Sequence, residues 1–276
     1  MTTLSGPVRR VLTFGDDGSD GADVAWLWVN NHVWPGWSAR VVHAHLPEIG
    51  PPPPEDEARL HGWEPPQPRR AFQESGLDGV EYLRADGDPR LVLTHAGGDL
   101  LVIGHRGAGV WKALHIGSTA EWLLQQPPVP LVMVRSARTT RRVLLCVDGS
   151  PHARAACDTL LALPWLEGLE VVVAGVVERG HDPQPAVAES AEALAAAGAV
   201  VQGRLVRPGE LDLVVNVRAS LFDLMDQVRP DVVALGTRGL LGFRRLRLGS
   251  TASAVARHAS CTVLLTHART QEDPAV

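Results

Sequence analysis

Twice in this sequence two glycines three apart are followed, after nine residues, by Gly-Ser. The first set is Gly104-His-Arg-Gly107 with Gly117-Ser118, and the second is Gly236-Thr-Arg-Gly239 with Gly249-Ser250. Residues of these types at this spacing can cradle an anion. Glycine admits positive φ and lets the backbone come close to a ligand. A Gly-Ser that opens a helix offers free N–H groups and the positive end of the helix dipole to a phosphate. Ser118 and Ser250 can cap that helix or turn their hydroxyls to a phosphate oxygen. On this reading a side chain at Gly236 would intrude where phosphate must approach. Glycines also simply end strands, and a repeated motif keeps its spacing for structural reasons too, so both roles stand.

Acidic residues form the second candidate element: Asp148-Gly-Ser150, and Asp16-Asp17-Gly-Ser19 with one acidic residue more. A carboxylate at the end of a strand can hydrogen-bond a base amino group or a ribose, hold a cation, or cap the next turn. A constant offset between the two halves pairs Asp148 with Asp16, whereas the DGS triplet pairs it with Asp17. Arg238, Arg244, Arg245 and Arg247 give the second glycine loop a positive field, against Arg106 and Lys112 in the first. Most such arginines form a solvated rim, and Arg238 is the one expected to meet phosphate.

These residues sit in a chain that repeats itself. Val11–Asp16, Asp99–Gly107, Gly117–Ala120 and Pro130–Val134 each have a counterpart 132 positions later. Four blocks in one register make the chain a tandem duplication joined near Ser136–Thr140. Each half alternates apolar strands with helical periods, the pattern of a parallel sheet covered on both faces. Strands are expected near 10–15, 39–45, 79–84, 99–104 and 130–135, and near 142–147, 170–177, 211–217, 231–236 and 261–266. Ala22, Ala25, Val29 and Val33 give one apolar helical face. Val187, Ala191, Leu194, Gly198, Val201 and Leu205 give another, so a helix running to about Val206 is expected, with Gly198 as a tolerated weak point. The first half carries a proline-rich stretch from Pro47 to Pro68 instead, which predicts a stiff loop.

The 276 residues carry a net charge of -5, with 45% apolar and 21% charged residues. That balance excludes disorder over most of the length and argues against a general nucleic-acid binder. No apolar run approaches the roughly 18 residues of a membrane span, and no signal-peptide stretch opens the chain, so a cytosolic protein is expected. Cys146, Cys157 and Cys261 lack metal or redox spacing and read as buried free thiols. The one lysine, Lys112, follows Trp111, so there is no P-loop. No GxGxxG follows the first strand, and GxSxG and HExxH are absent. His43 and His45 lack a third ligand at suitable spacing. Seven of the eight tryptophans fall in residues 26–122, and Trp26, Trp34 and Trp37 point to core filling or to an apolar partner surface.

With these motifs both halves resemble universal stress protein domains, and the chain is similar to tandem two-domain members of that family, of the G-2x-G-9x-G-[ST] nucleotide-binding type. The resemblance implies two five-stranded parallel α/β sandwiches, Rossmann-like and adenine nucleotide alpha hydrolase-like, spanning 1–138 and 139–276. It implies pairing through 130–135 and 261–266 into an intrachain pseudo-dimer, with a homodimer of chains open. Adenine nucleotide, ATP with Mg2+, would lie between strands one and four. In the second half Asp148 would meet adenine or ribose, with Val176 and Leu235 against the base and Gly236, Gly239, Gly249, Ser250 and Thr251 at ribose and phosphates. In the first half the matching positions are Asp16, Ala44, Ile103, Gly104, Gly107, Gly117, Ser118 and Thr119. The extra acidic residue, the proline-rich loop and bulky Trp111 and His115 set the first half apart. The function implied is an ATP-binding stress-response module, regulating or sensing by occupancy with a protein partner. No residue of the motifs is placed as a base for hydrolysis. A nucleotide-independent scaffold and a slow ATPase or phosphoryl-transfer enzyme are the alternatives.

Overall fold

The computed structural model describes residues 10–45, 75–107, 116–178, 180–207, 216–240 and 248–268. The first half contributes β1 (Arg10–Gly15), α1 (Asp20–Asn30), β2 (Trp37–His45), β3 (Val80–Asp86), α2 (Pro89–His95), β4 (Leu100–Gly104), α3 (Ser118–Gln125) and β5 (Leu131–Val134). The second contributes β6 (Arg142–Cys146), α4 (Pro151–Ala162), β7 (Glu170–Val176), α5 (Gln184–Ala196), β8 (Val200–Val206), α6 (Val217–Val228), β9 (Val232–Gly236), α7 (Ser250–His258) and β10 (Thr262–Thr266). No helix among the described residues is long and apolar enough to cross a membrane.

The ten strands among the described residues form one sheet in the order β3-β2-β1-β4-β5-β10-β9-β6-β7-β8. Every pairing is parallel except β5 with β10, which is antiparallel with Met133 opposite Val263. Central strands are buried on both faces, which is why they are apolar without alternation. Edge strand β3 is largely exposed, and β8 is half-buried to exposed with no fully buried residue. Two packed layers flank the sheet. One contains Phe14, Trp28, Leu145, Leu160 and Val173, and the other contains Leu123, Met133, Leu235 and Val255.

Local chemistry sets the helix starts. Ser19 and Ser150 are N-caps of α1 and α4, accepting from the N–H groups of Ala22 at 3.1 Å and Ala153 at 3.2 Å. Ala22, Ala25 and Val29 are buried as the period predicts, but Val33 lies beyond the end of α1 and is exposed. Trp26, Trp34 and Trp37 are core residues and present no partner surface.

The expected long helix over 187–206 is corrected to a helix and a strand. Gly198 is left-handed at φ 92 and stops α5, after which Val200–Val206 pairs along β7. The expected strand at 211–217 is not formed at its end, since Val217 opens α6, and 211–215 lie outside the described residues. Two opposite length differences concealed this. Residues 46–79 separate β2 from β3, but only 177–199 separate β7 from β8. Conversely 87–99 separate β3 from β4, while 207–231 separate β8 from β9. The differences nearly cancel, so the offset returns to 132 by strand four. Pro47–Pro68, Trp111, Lys112, His115, Arg244, Arg245 and Arg247 lie outside the described residues.

Candidate functional site

In the second half the direction of strand addition reverses between β6 and β9, and there the carboxyl ends of the strands open a crevice of about 710 Å³. Val147, Val176 and Leu235 give it an apolar lining, and all three are buried. Asp148, Gly236, Arg238, Gly239, Gly249, Ser250 and Thr251 also line it, so every candidate of the second half comes to one place.

Asp148 ties the crevice together. Its Oδ1 accepts from Ser150 N–H at 3.0 Å, and its Oδ2 accepts from Leu240 N–H at 2.7 Å. The carboxylate thereby latches the turn after β9 to the turn after β6, and its remaining lone pairs are available to a ligand. A Cβ on Gly239 would stand 2.7 Å from Asp148 Oδ2, so this position is glycine because the carboxylate occupies the space.

Gly236 has a different cause. A Cβ there would lie 2.6 Å from the carbonyl carbon of His152 and 2.7 Å from Ala153 N, both backbone atoms of α4. Gly104 meets Gly21 and Ala22 of α1 in the same way. These glycines let the helix after strand one pack onto the end of strand four, so a side chain at Gly236 intrudes on the backbone of α4. Nor are Gly104, Gly107, Gly236 and Gly239 left-handed, contrary to the positive φ expected of them.

The helix opening also differs from expectation. Gly117 and Gly249 are the N-caps of α3 and α7, and among the described residues no side chain caps either helix. Ser118 and Ser250 are the first helical residues instead. The Gly249 N–H donates to Thr237 O at 2.7 Å, and Gly117 N–H to His105 O at 2.9 Å, which fixes each helix start against the glycine turn. At α7 this leaves an N-terminus that no described side chain caps, facing the crevice through Gly249, Ser250 and Thr251.

Arg238 Nη2 lies 3.3 Å from His267 Nε2, and Thr237 Oγ1 lies 3.0 Å from His267 Nδ1. His267 in turn stacks on His152, with ring centroids 4.7 Å apart. The glycine turn is thus braced from the end of β10. Cys146 is half-buried in the crevice lining, and burial pushes its thiol up to about 12, so it stays protonated at neutral pH. Among the described residues no group of three or more His, Cys, Asp or Glu could hold a metal ion.

In the first half the geometry pairs Asp17 with Asp148, and not Asp16. Asp17 Oδ1 accepts from Ser19 N–H at 3.1 Å, and a Cβ on Gly107 would run into Asp17 Oδ2. Asp16 instead occupies the place of Val147. Its N–H donates to Val42 O as that of Val147 donates to Ala174 O. Ile103 is buried and Ala44 half-buried at the ends of β4 and β2, while Thr119 lies in the first turn of α3.

Glu178, His181, Asn216, Arg218 and Leu221 line the second-half crevice as well. No sequence motif marked them, because they fall in the segments where the two halves differ in length.

Residues 139–267 match the universal stress protein family. The chain is similar to a universal stress protein from Synechocystis sp., 26% identical over 203 residues that cover 71% of this chain and 68% of that protein. It is 28% identical over 182 residues to one from Mycolicibacterium smegmatis, covering 62% of each, so it spans less than two thirds of that relative. The crystal structure of a universal stress protein from Archaeoglobus fulgidus has a TM-score of 0.69 at 18% identity, covering 94% of this chain and 99% of that one. A functionally unknown protein from Pseudomonas aeruginosa reaches 0.54 at 17% identity, covering 95% and 93%. The solved structures show that the chain shares the universal stress protein fold, and the family match covers residues 139–267.

Proposed function

We propose that the chain is a tandem universal stress protein, with domains at 1–138 and 139–276, which binds ATP in the second-half crevice. Its role is that of a cytoplasmic stress-response module in which nucleotide occupancy regulates contact with a protein partner. The observation that carries this is the junction of an apolar slot with an uncapped helix start. Val147, Val176 and Leu235 form a slot suited to a flat base. Gly249, Ser250 and Thr251 at the N-terminus of α7 offer N–H groups and a favourable dipole to phosphate oxygens. Asp148 lines the same crevice, and its carboxylate can accept from a ribose hydroxyl. The described residues do not form a cage for Mg2+, so magnesium would arrive on the phosphates with its waters.

Calorimetric titration of the full chain with ATP tests this, and the absence of binding overturns it. Ser250→Glu sharpens the test. A carboxylate in the first turn of α7 favours the helix by roughly 0.3–1 kcal/mol but repels phosphate. The variant is expected to keep or gain stability while losing at least about tenfold in ATP affinity, a loss that unfolding cannot explain.

A further inference from the structure

The crevice has two ends, and phosphate chemistry accounts for only one. The glycine turn after β9 and the start of α7 form the phosphate end, β6 lies beside β9, and β7 lies beyond it at the far end. There the chain leaves β7 and folds back on itself. Glu178 N–H donates to His181 O at 3.2 Å and His181 N–H donates to Glu178 O at 3.1 Å, with Gly180 left-handed between them at φ 77. Two residues that exchange both backbone bonds form an antiparallel pair whose side chains share one face. Both residues line the crevice. His181 Nε2 is buried and has no hydrogen-bond partner among the described residues. A buried ring nitrogen left unsatisfied is destabilising until something supplies a partner. The Glu178 carboxylate, for its part, can only accept.

We propose that the Glu178–His181 turn reads the base of the bound nucleotide, selecting one with an exocyclic amino group beside a bare ring nitrogen. The amine donates to the carboxylate of Glu178, and the ring nitrogen accepts from the Nε2–H of His181. This rests on the nucleotide site proposed above and adds its specificity. Adenine presents that pattern. Hypoxanthine has the same shape and reverses it, setting a carbonyl against the carboxylate and a ring N–H against the imidazole donor.

The test is calorimetric titration of the full chain with ATP and with ITP, which carry the same ribose and triphosphate. The unaltered protein is expected to bind ATP at least about tenfold more tightly than ITP, because a mismatched polar edge leaves buried groups unpaired. Glu178→Gln, whose amide can donate to a carbonyl, is expected to raise ITP affinity and bring the ratio toward one. A gain of affinity cannot come from misfolding. His181→Phe is expected to weaken ATP more than ITP. Ser250→Glu is expected to weaken both while leaving their ratio unchanged. Equal affinities in the unaltered protein overturn the base-reading turn, as does an unmoved ratio in both Glu178→Gln and His181→Phe, and in either case the nucleotide site still stands. Binding of neither nucleotide overturns the site itself and the base-reading turn with it.

Discussion

A methyl group added at Gly236 has nowhere to go, because backbone atoms of α4 lie within 2.7 Å of its position. Gly236→Ala is therefore expected to cost about 1–3 kcal/mol by overpacking, read as a lower urea midpoint. A midpoint equal to that of the unaltered protein would show that α4 shifts freely and that the glycine serves something else. The repeated glycines and acidic residues were legible as one constellation, because type and spacing survive in sequence. The cause of each glycine was not, because it depends on a backbone from another element. Nor could spacing choose between Asp16 and Asp17. Their hydrogen bonds to Ser19 and to the end of β2 decide it.

His32, just past the end of α1, acts at the scale of elements. Its Nδ1–H donates to Trp28 O at 2.6 Å, and its Nε2 accepts from Thr140 N–H at 3.0 Å, joining α1 to the segment between the halves. Its ring lies 4.4 Å from that of Trp165 in the second half. Burial pulls its pKa down to about 4, against the opposing pull of the bond to Trp28. The neutral ring is thus the folded form. Between pH 6.5 and 4 the unfolded chain binds the proton and the folded chain does not, so stability is full above 6.5 and falls on acidification. Denaturation at pH 7 and pH 5 is expected to differ by about 2 kcal/mol from this group, and His32→Leu is expected to remove that part. An unchanged pH profile in the variant would exclude His32 as its source. Elements were legible where apolar runs and caps agreed, as at β6 and α4. They were misread at Val200–Val206, where a three-to-four spacing ran on past Gly198. A glycine at the end of a helix is a stop, and only the pairing of Val200 with Glu170 reveals the strand beyond it.

At the scale of the molecule the two halves share one sheet across β5 and β10. Val132, Met133, Val263 and Leu264 are buried along this seam, flanked by the ion pair of Glu121 with Arg257. Val263→Asp places a carboxylate in that apolar seam, and is expected to cost about 3 kcal/mol or more. The loss should appear equally in tryptophan fluorescence, to which the buried Trp26, Trp28, Trp34 and Trp37 of the first half contribute, and in far-ultraviolet circular dichroism. If the fluorescence midpoint stayed in place while dichroism moved, the halves would be independent in stability. The seam also sets directions. Strands parallel within each half run antiparallel between halves, so their carboxyl ends point to opposite rims of the sheet. A macromolecule seated over the second-half crevice therefore leaves the corresponding rim of the first half uncovered. The molecule is therefore two-ended, and any coupling between its rims must travel through the sheet.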